Sequence, residues 1–525
     1  MAIDASDSAI AGGSSFRSNR LTLLWVFLAS LAVRVVFLGI APNNTTDAWS
    51  RYRDAAGWLQ HPGILPRVTL EGAWLPFHIW LLGAVLWITN SEMSLRIFTV
   101  LLGTATILFY WGIVERAFGA RVALASSLLL ALFGFHIAYS VTTGSEVPTI
   151  FFIAAGIYAW LRFVSQADWP WGILSAAMFG MASLCRFEAW ICAPILAIMV
   201  LDWGDRQSSF LVQKDLLRRA LGFGLLASVP AIGWMIFSFL RWGDPLMLPH
   251  RTIEINRHAG PAILHHSILF RLFTVPASLA LSLSPLVLGL AVVGLVITFS
   301  PRLRPARSLA ALALSLLAFN YWNSIRYEVT QARYTLLYAW LLIPFAFQGL
   351  LWLGERWTWM KSRLAFAVVV GLFILWQAGI IAGAAFAPTR VADRLGAMSP
   401  TVPLHREERA LTDWLLANHP PSAAVILDDF NWESVAIARF ARLDLARTFR
   451  ITPAYYSDGA LMRQQLERFV NDQHPALLVC SPYGPIGGIW PAEDGEQLNV
   501  QNTVLHLQLQ WRGERWRVYA VTYGK

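Results

Sequence analysis

The chain has 525 residues, of which 56% are hydrophobic and only 14% are charged, and its mean hydropathy is +0.51. Soluble domains carry about 25% charged residues, so the composition excludes an ordinary soluble protein and indicates a membrane protein. The net charge of +9 is spread over short loops between apolar segments and forms no basic domain. This distribution argues against nucleic-acid binding and favours a positive-inside signal.

Apolar segments predict eleven transmembrane helices, because only a helix can satisfy its own backbone across a bilayer and about 20 apolar residues are needed to span it. The predicted spans are residues 21–41, 95–114, 121–140, 147–164, 171–185, 187–201, 217–240, 282–299, 307–325, 335–353 and 364–387. Segment 75–90 is shorter and follows a proline, which fits a re-entrant or interfacial helix as well as a span.

The basic residues predict an orientation in the membrane. If 75–90 does not cross, one set of loops collects Arg116, Arg206, Lys214, Arg302, Arg304, Arg356 and Lys361. Such loops face the cytoplasm. The prediction is therefore a cytoplasmic tail at 1–20, an uncleaved first span, and a membrane domain at 21–390 with an outer loop at 42–94. It makes the chain a multi-pass protein of the plasma (inner) membrane, with everything after 387 outside.

The composition changes after residue 387. Helical periods at 405–418, 433–443 and 459–472 alternate with strand-like segments at 423–429 and 475–482, and two more strands meet at Arg512-Gly513. This alternation predicts a small α/β domain over residues 395–525, outside the membrane. It contains neither G-x-G-x-x-G nor a P-loop, so no nucleotide is assigned to it.

A lone carboxylate, Asp47, lies six residues after the first span and begins an amphipathic segment. Trp49, Tyr52 and Ala56 recur there at roughly helical spacing, which predicts an interfacial helix. Asp47 has two compatible interpretations, an N-cap of this helix and a catalytic acid or base beside the membrane.

Other charged side chains lie at the outer ends of predicted spans. Glu146 begins a predicted span and has two interpretations. It is an acid favoured at a helix start by the helix dipole, or it is a second carboxylate that faces the same outer cavity as Asp47. Arg186 and Glu188 lie in a tight outer turn. Arg186 either pairs locally or snorkels to the lipid headgroups, or it binds phosphate, for which a guanidinium is well suited.

Further basic residues offer weaker signals. Arg333 and Arg326 form a similar cluster before a late span, and His250 or Arg251 is another phosphate candidate. The adjacent pair His265 and His266 lacks a carboxylate at metal-binding spacing, so no metal is expected there. Arg34 lies inside the first span and must face the bundle or an acid that the sequence does not identify.

The order and placement of these residues resemble the GT-C superfamily of polyprenyl-phosphate-sugar-dependent glycosyltransferases. Within it the chain is most similar to the bacterial relatives of protein O-mannosyltransferase and of the aminoarabinose transferase of lipid A. The shared layout falls on Asp47, residues 74–78, Glu146, Arg186, Arg333-Tyr334 and residues 395–525.

Individual motifs depart from the family pattern. Ala48 follows Asp47 where many relatives have a second acid, and His78 stands where some have lysine or arginine. Phe187 and Glu188 follow Arg186, whereas some relatives have Lys-Gly at this turn.

The resemblance implies an inverting transfer of a hexose or pentose from a polyprenyl-phosphate donor to a hydroxyl acceptor (a glycolipid, a glycan or a protein) on the outer face. Asp47 would act as the base, and Arg186 and Arg333 would bind the phosphate, with His78 as a weaker candidate. No cofactor is expected, and because no acidic pair stands at Asp47, an obligatory divalent metal is not expected either.

The remaining matched positions would bind substrate. Glu146 would orient the acceptor or hold a basic partner, and Glu188 and Tyr334 complete the expected substrate-binding set. The alternative is a transporter or flippase of a lipid-linked sugar, which would use the basic residues without covalent chemistry. Convergence of Asp47 and Arg186 on one cavity would favour the enzyme, and the outer domain would be free to select the acceptor.

Overall fold

A computed structural model of the chain is described here over most of its length. The described residues are 12–41, 46–70, 74–203, 210–258, 267–298, 304–327, 331–357, 363–387, 390, 406–420, 422–428, 433–451, 459–482, 484–490, 497–500 and 503–524. Most of the predicted cytoplasmic tail and the residues Arg206, His265, His266, Arg302 and Lys361 lie outside this set.

The first three quarters of the chain form a bundle of helices. In chain order they are α1 (Gly12–Ile40), α2 (Thr46–Gln60), α3 (Arg67–Leu70), α4 (Pro76–Thr89), α5 (Glu92–Phe118), α6 (Ala120–Ala131), α7 (Gly134–Ser140), α8 (Glu146–Gln166), α9 (Trp169–Cys185), α10 (Cys192–Leu201), α11 (Phe210–Trp242), α12 (Met247–His258), α13 (Ile268–Leu283), α14 (Pro285–Thr298), α15 (Arg304–Tyr327), α16 (Leu336–Arg356) and α17 (Arg363–Phe386). Short 3₁₀ helices at Phe187–Ile191 and Ala332–Thr335 precede α10 and α16.

Seven helices of the described chain are long and apolar enough to cross a membrane. Two bent pairs, α6 with α7 (53°) and α13 with α14 (105°), raise this number to nine if each pair is one span. The fifth and sixth predicted spans correspond to shorter helices, Trp169–Cys185 and Phe187–Leu201, and α4 is also short. Every predicted span therefore has a helix in its place, and the number eleven stays a prediction. Helix α13 lies in a segment for which no helix was predicted.

The centre of the bundle is formed by α8 and α16, whose apolar windows are each 78% buried, whereas those of α1 and α17 are only 22% buried. Large aromatic side chains such as Trp160 and Trp340 fill the core between them. Both central helices begin at residues that the sequence singles out, Glu146 for α8 and the segment after Arg333 for α16. The most buried part of the membrane domain thus positions two candidate site residues.

Arg34 of α1 is fully buried in this bundle. Its Nη1 donates to Ser30 Oγ (2.5 Å) and to the carbonyl of Ala131 (3.1 Å), and its Nη2 lies 2.7 Å from His136 Nδ1. These hydrogen-bond partners within the described chain are neutral, and they lie where α6 bends into α7. The sequence did not identify a partner for Arg34. The structure shows that its guanidinium donates to the carbonyl of Ala131 at the end of α6, where the helix breaks and a backbone carbonyl lacks a helical partner.

The C-terminal region is an α/β domain, as the sequence predicts. Its strands are β1 (Val425–Leu427), β2 (Thr448–Arg450), β3 (Leu477–Cys480), β4 (Gln497–Val500), β5 (Thr503–Arg512) and β6 (Arg517–Gly524). They form one sheet in the order β2-β1-β3-β6-β5-β4. Strand β1 is parallel to β2 and β3, and the remaining pairs are antiparallel. Strands β2 and β4 were not predicted, because three or four residues are too short to show a period.

Helices cover both faces of this sheet. They are α18 (Arg406–Asn418), α19 (Glu433–Phe440), α20 (Gly459–Gln473) and α21 (Pro485–Ile489). Val425 and Leu427 of β1 pack with α18 and α19, while Ile426 packs with α20 on the other face, as the alternation of side chains along a strand requires. The apolar run of β1 is explained by this burial on two sides.

Helix α2, for which the sequence predicts an interfacial position, packs against protein on two sides. Ala55 packs against α4, and Trp49 belongs to the core that α18 and α19 form in the C-terminal domain. The Trp49 ring meets the Phe440 ring edge-on with centroids 5.7 Å apart. Apolar side chains of this amphipathic helix therefore contact the C-terminal domain and the bundle, and its interfacial position stays a prediction.

Candidate active site

Three acidic and three basic side chains come together where α2, α8 and the two 3₁₀ helices meet. They are Asp47, Arg51, Glu146, Arg186, Glu188 and Arg333. This set is named the charged cluster below. It contains five of the seven candidate residues expected from the sequence, and Tyr334 lies against it.

Two contacts hold the acidic ends of α2 and α8 beside each other. Thr143 donates its hydroxyl to the carbonyl of Ala48 (2.7 Å), which links the loop before Glu146 to the first turn of α2. Arg96 of α5 donates to the carbonyls of Ala41 (2.6 Å) and Val141 (2.7 Å). These carbonyls directly follow the last residues of α1 and α7. Arg96 therefore fixes the start of the loop that leads to Asp47 and the start of the loop that leads to Glu146.

Acids and arginines alternate through the charged cluster. Arg333 Nη1 donates to Asp47 Oδ2 at 2.6 Å and lies 3.7 Å from Glu146 Oε1. Arg186 donates to the same Glu146 oxygen at 3.0 Å and to Glu188 Oε1 at 2.5 Å. Glu146 therefore bridges the two arginines, and the local pairing of Arg186 with Glu188 exists alongside it.

The ionised forms of these groups stabilise one another. Burial by itself would raise the pKa of Asp47, but the guanidinium groups of Arg333 and Arg51 and the hydrogen bond from Arg333 bring that pKa below its ordinary value. Burial by itself would lower the pKa of Arg186, but Glu188 and Glu146 raise it above the ordinary value. At neutral pH the site therefore holds an ionised carboxylate beside permanent cations.

Arg51 lies one helical turn after Asp47, and its guanidinium is held on two sides. It stacks over the Trp74 ring at 4.3 Å, and its Nη1 donates to His78 Nδ1 at 3.2 Å. His78 is fully buried and contacts Arg51 rather than lining the pocket described next. The tautomer of His78 follows from this contact, since a guanidinium can only donate.

One pocket brings much of the charged cluster to a common surface. Asp47, Arg51, Arg186, Glu188, Arg333 and Tyr334 all line it. Tyr334 lies between the two arginines, with its ring centroid 5.5 Å from Arg186 Cζ and 5.4 Å from Arg333 Cζ. Glu146 is buried behind this surface and reaches it through the arginines that it pairs.

Sequence reasoning missed several residues of the pocket wall, listed here: Arg51, Asn320, Asn323, Gln331 and Tyr338. Arg51 carried a usable signal, because a spacing of four residues puts it on the same helix face as Asp47. The two asparagines carried a usable signal, because polar side chains inside a predicted span are often functional.

The described residues contain no group of three or more histidine, cysteine or acidic side chains that could hold a metal ion. The carboxylates of Asp47, Glu146 and Glu188 each accept a hydrogen bond from an arginine. The expectation that no divalent metal is obligatory stays a prediction.

Comparisons with known proteins bear on the fold and on one segment of the sequence. A family model described as dolichyl-phosphate-mannose-protein mannosyltransferase matches residues 71–234. The solved structure of ArnT from Cupriavidus metallidurans bound to undecaprenyl phosphate is similar with a TM-score of 0.59 and 17% identity, over 95% of this chain and 97% of that chain. A search of curated proteins found no match.

A second solved structure extends the similarity to another enzyme. The oligosaccharyltransferase AglB from Archaeoglobus fulgidus, in complex with an inhibitory peptide and a dolichol-phosphate, has a TM-score of 0.52 and 13% identity, over 88% of this chain and 69% of that chain. At such identities the solved structures show the fold, and the family model adds a match in sequence. Together they show a multi-pass membrane protein with the fold of ArnT and AglB, whose residues 71–234 match the mannosyltransferase family model.

Proposed function

We propose that this protein transfers a sugar from a polyprenyl-phosphate donor to a hydroxyl acceptor with inversion at the anomeric carbon. The observation that carries the proposal is that Asp47, Arg186 and Arg333 line one pocket. A carboxylate and two guanidinium groups are the chemistry that this reaction requires, a base for the acceptor and cations for a phosphate leaving group.

In the proposed reaction the acceptor oxygen attacks the anomeric carbon from the face opposite the phosphate. The new carbon–oxygen bond forms as the bond from the anomeric carbon to the phosphate oxygen breaks. The acceptor proton passes to the carboxylate of Asp47, and the bonding electron pair leaves with the polyprenyl phosphate. General-base assistance of this kind contributes about 10²–10⁴-fold to a rate.

Arg186 and Arg333 stabilise the leaving phosphate in this account. The Nε atoms of both side chains are buried and have no hydrogen-bond partner within the described chain, so each keeps a donor for a ligand. A guanidinium can bind phosphate oxygens with two parallel hydrogen bonds. Glu146 is the positioning residue for both arginines, since its Oε1 lies 3.0 Å from one and 3.7 Å from the other.

The other candidate residues support these groups. Tyr334 and Glu188 orient Arg186, through ring stacking and an ion pair respectively, and His78 acts through Arg51. Apolar side chains of the same pocket, Leu248, Leu316 and Phe319 among them, are suited to the first isoprene units of the donor. The acceptor is a hydroxyl of a glycolipid, a glycan or a protein.

The proposed location is the plasma (inner) membrane with the pocket on the outer face. The short loops that face the opposite side carry Arg116, Lys214, Arg304 and Arg356, which favours a cytoplasmic N-terminus. The packing of Trp49 against the C-terminal domain puts that domain on the same side of the bundle as Asp47. The domain is therefore outside together with the pocket.

The test is release of sugar from the lipid by the purified protein in detergent. Radiolabelled polyprenyl-phosphate sugars and a membrane extract that supplies acceptors are added, and label leaving the donor lipid is counted. The proposal predicts turnover, because bond transfer needs no sealed bilayer. A protein that moves these lipids across vesicles, and releases no sugar from any donor in detergent, is a flippase and contradicts the proposal.

A further inference from the structure

Part of the pocket wall carries neutral polar side chains outside the charged cluster. Asn320 and Asn323 of α15, Gln331 just before the 3₁₀ helix at Ala332–Thr335, and Tyr338 of α16 all line the pocket. None of them takes part in the proton transfer or phosphate binding proposed above, so their presence on this wall needs a separate explanation.

The two asparagines lie on a pocket-facing side of α15. They are three residues apart and so share a face of the helix, and Leu316 and Phe319 of the same helix also line the pocket. The Phe319 ring contacts the Phe187 ring across the wall with centroids 6.3 Å apart. Amide side chains inside an apolar helix are costly, and they are found where a cavity or ligand uses them.

Two further polar atoms of this wall are buried without a partner. Tyr338 is only 1% exposed, and its hydroxyl has no hydrogen-bond partner among the residues that the structure describes. The same holds for Oε1 of Gln331. Because burying an unpaired polar group costs stability, such atoms in a pocket wall are positioned for a ligand that supplies the missing hydrogen bonds.

The chemistry of the wall selects the kind of ligand. Amides and a phenol both donate and accept hydrogen bonds, which matches the hydroxyl groups of a sugar ring. The two carboxylates that line the pocket, Asp47 and Glu188, already pair with arginines. An ammonium group on the sugar would therefore have to compete with a guanidinium for its counter-ion.

We propose that Asn320, Asn323, Gln331 and Tyr338 form the subsite for the donor's sugar, and that this sugar is a neutral hexose or pentose rather than an amino sugar. The inference rests on the proposed function and deepens it. The arginines bind the phosphate, which every polyprenyl-phosphate lipid contains. The neutral polar side chains bind the sugar, which differs from one such lipid to another.

The test compares binding of bare polyprenyl phosphate with binding of polyprenyl phosphate that carries mannose, glucose or aminoarabinose, using the purified full-length protein. Tyr338→Phe removes only a hydroxyl, and Asn320→Ala with Asn323→Ala removes both amides. Asn418→Ala is the control, because this asparagine lies in α18 of the C-terminal domain, where its amide donates to the carbonyl of Trp414. Thermal melting shows that each variant is folded.

Wild-type protein and the control are expected to bind at least one neutral sugar lipid about tenfold more tightly than bare polyprenyl phosphate, as one or two additional hydrogen bonds allow. The subsite variants are expected to lose this gain and to change the affinity for the bare lipid little. Two results would contradict the proposed subsite. One is that the variants still bind the sugar lipid more tightly than bare polyprenyl phosphate, and the other is that wild type binds no neutral sugar lipid more tightly than the bare lipid. Preference for aminoarabinose would overturn the sugar class. Failure of wild type to bind any of the lipids would instead reject the proposed function, and the subsite with it.

Discussion

At the scale of single residues, the charged cluster is balanced before any substrate arrives. Its three arginines and three carboxylates carry equal and opposite formal charges, and each arginine that faces a phosphate in our account already contacts an acid. A donor phosphate adds negative charge, so it must take guanidinium groups partly away from their carboxylates. Release of Arg333 from Asp47 would free that carboxylate to accept the acceptor proton.

The pairing of Asp47 with Arg333 predicts a shift of pH dependence. The pKa of Asp47 lies below its ordinary value because of Arg333 and Arg51, against the opposing effect of burial, so the ionised base persists as pH falls below the usual carboxylate range. In Arg333→Gln the largest lowering influence is lost and the pKa of Asp47 rises. The acidic limb of log(kcat/KM) against pH is expected to move to higher pH.

A conservative change elsewhere provides the comparison for this shift. Arg468→Lys alters an exposed arginine of the C-terminal domain, 75% exposed in its side chain, and is expected to leave the limb where it is in wild type. An acidic limb that keeps its position in Arg333→Gln would show that Asp47 is not the group that this limb reports.

Arg186 gives a second prediction at this scale. Arg186→Lys keeps the charge between Glu146 and Glu188 but loses the planar fork that binds phosphate with two hydrogen bonds. Binding of bare polyprenyl phosphate is expected to weaken about tenfold to a hundredfold, the range for a lost charge-assisted hydrogen bond. Binding measured by tryptophan fluorescence or by a radiolabelled lipid decides this, and an unchanged affinity would remove Arg186 from the phosphate site.

At the scale of elements, α2 is the segment on which the site depends most. It carries Asp47 and Arg51, it packs on α4, and its Trp49 ring lies in the core of the C-terminal domain. The hydroxyl of Thr143 holds its first turn to the loop before α8. A short helix with three different neighbours is fixed only while all three contacts persist.

Trp49→Ala tests this dependence without touching the pocket. Truncating a buried tryptophan lowers the free energy of unfolding by about 3–5 kcal/mol. In this protein the change removes the contact between α2 and the C-terminal domain. The melting temperature and kcat are expected to fall together. Trp87→Ala, in the neighbouring helix α4 with its side chain 80% exposed, should change both little, and normal kcat in Trp49→Ala would show that this contact does not position Asp47.

Sequence patterns predicted most elements and failed where direction or length mattered. Charges beside apolar runs identified Asp47, Glu146, Arg186 and Arg333, because such charges are visible without any knowledge of packing. The sequence could not predict that Asn320 and Asn323 of α15 face the pocket, because tertiary contacts set the rotation of a helix about its axis. Strand β2, three residues long, is too short for periodicity to detect, and helix α13 contains Pro276, a residue that usually ends a predicted helix.

At the scale of the whole molecule, the membrane domain and the C-terminal domain are joined by more than their linking chain. Trp49 completes one core of the C-terminal domain, and Arg439 of that domain lies over its ring at 5.7 Å. The sequence predicted a C-terminal α/β domain after the membrane spans, and the sheet of β1 to β6 confirms that this domain is present. It did not predict that a helix of one fills the core of the other, because contacts far apart in sequence leave no local pattern.

Removal of residues 391–525 separates two roles for the C-terminal domain. The contact with α2 predicts that donor hydrolysis and sugar transfer fall together, since both need Asp47 in place. The two activities are measured separately with the same radiolabelled donor. Loss of transfer alone, with hydrolysis at the wild-type rate, would contradict the positioning role and leave acceptor selection as the function of the domain.

The most direct test of the central claim compares wild type with Asp47→Asn, an isosteric change that removes the base and keeps the size of the side chain. Donor turnover and binding of bare polyprenyl phosphate are measured on the same preparations. We expect turnover to fall about 10²–10⁴-fold, the contribution of a general base, while the lipid still binds. Equal turnover by the two proteins would contradict the assignment of Asp47 as the base.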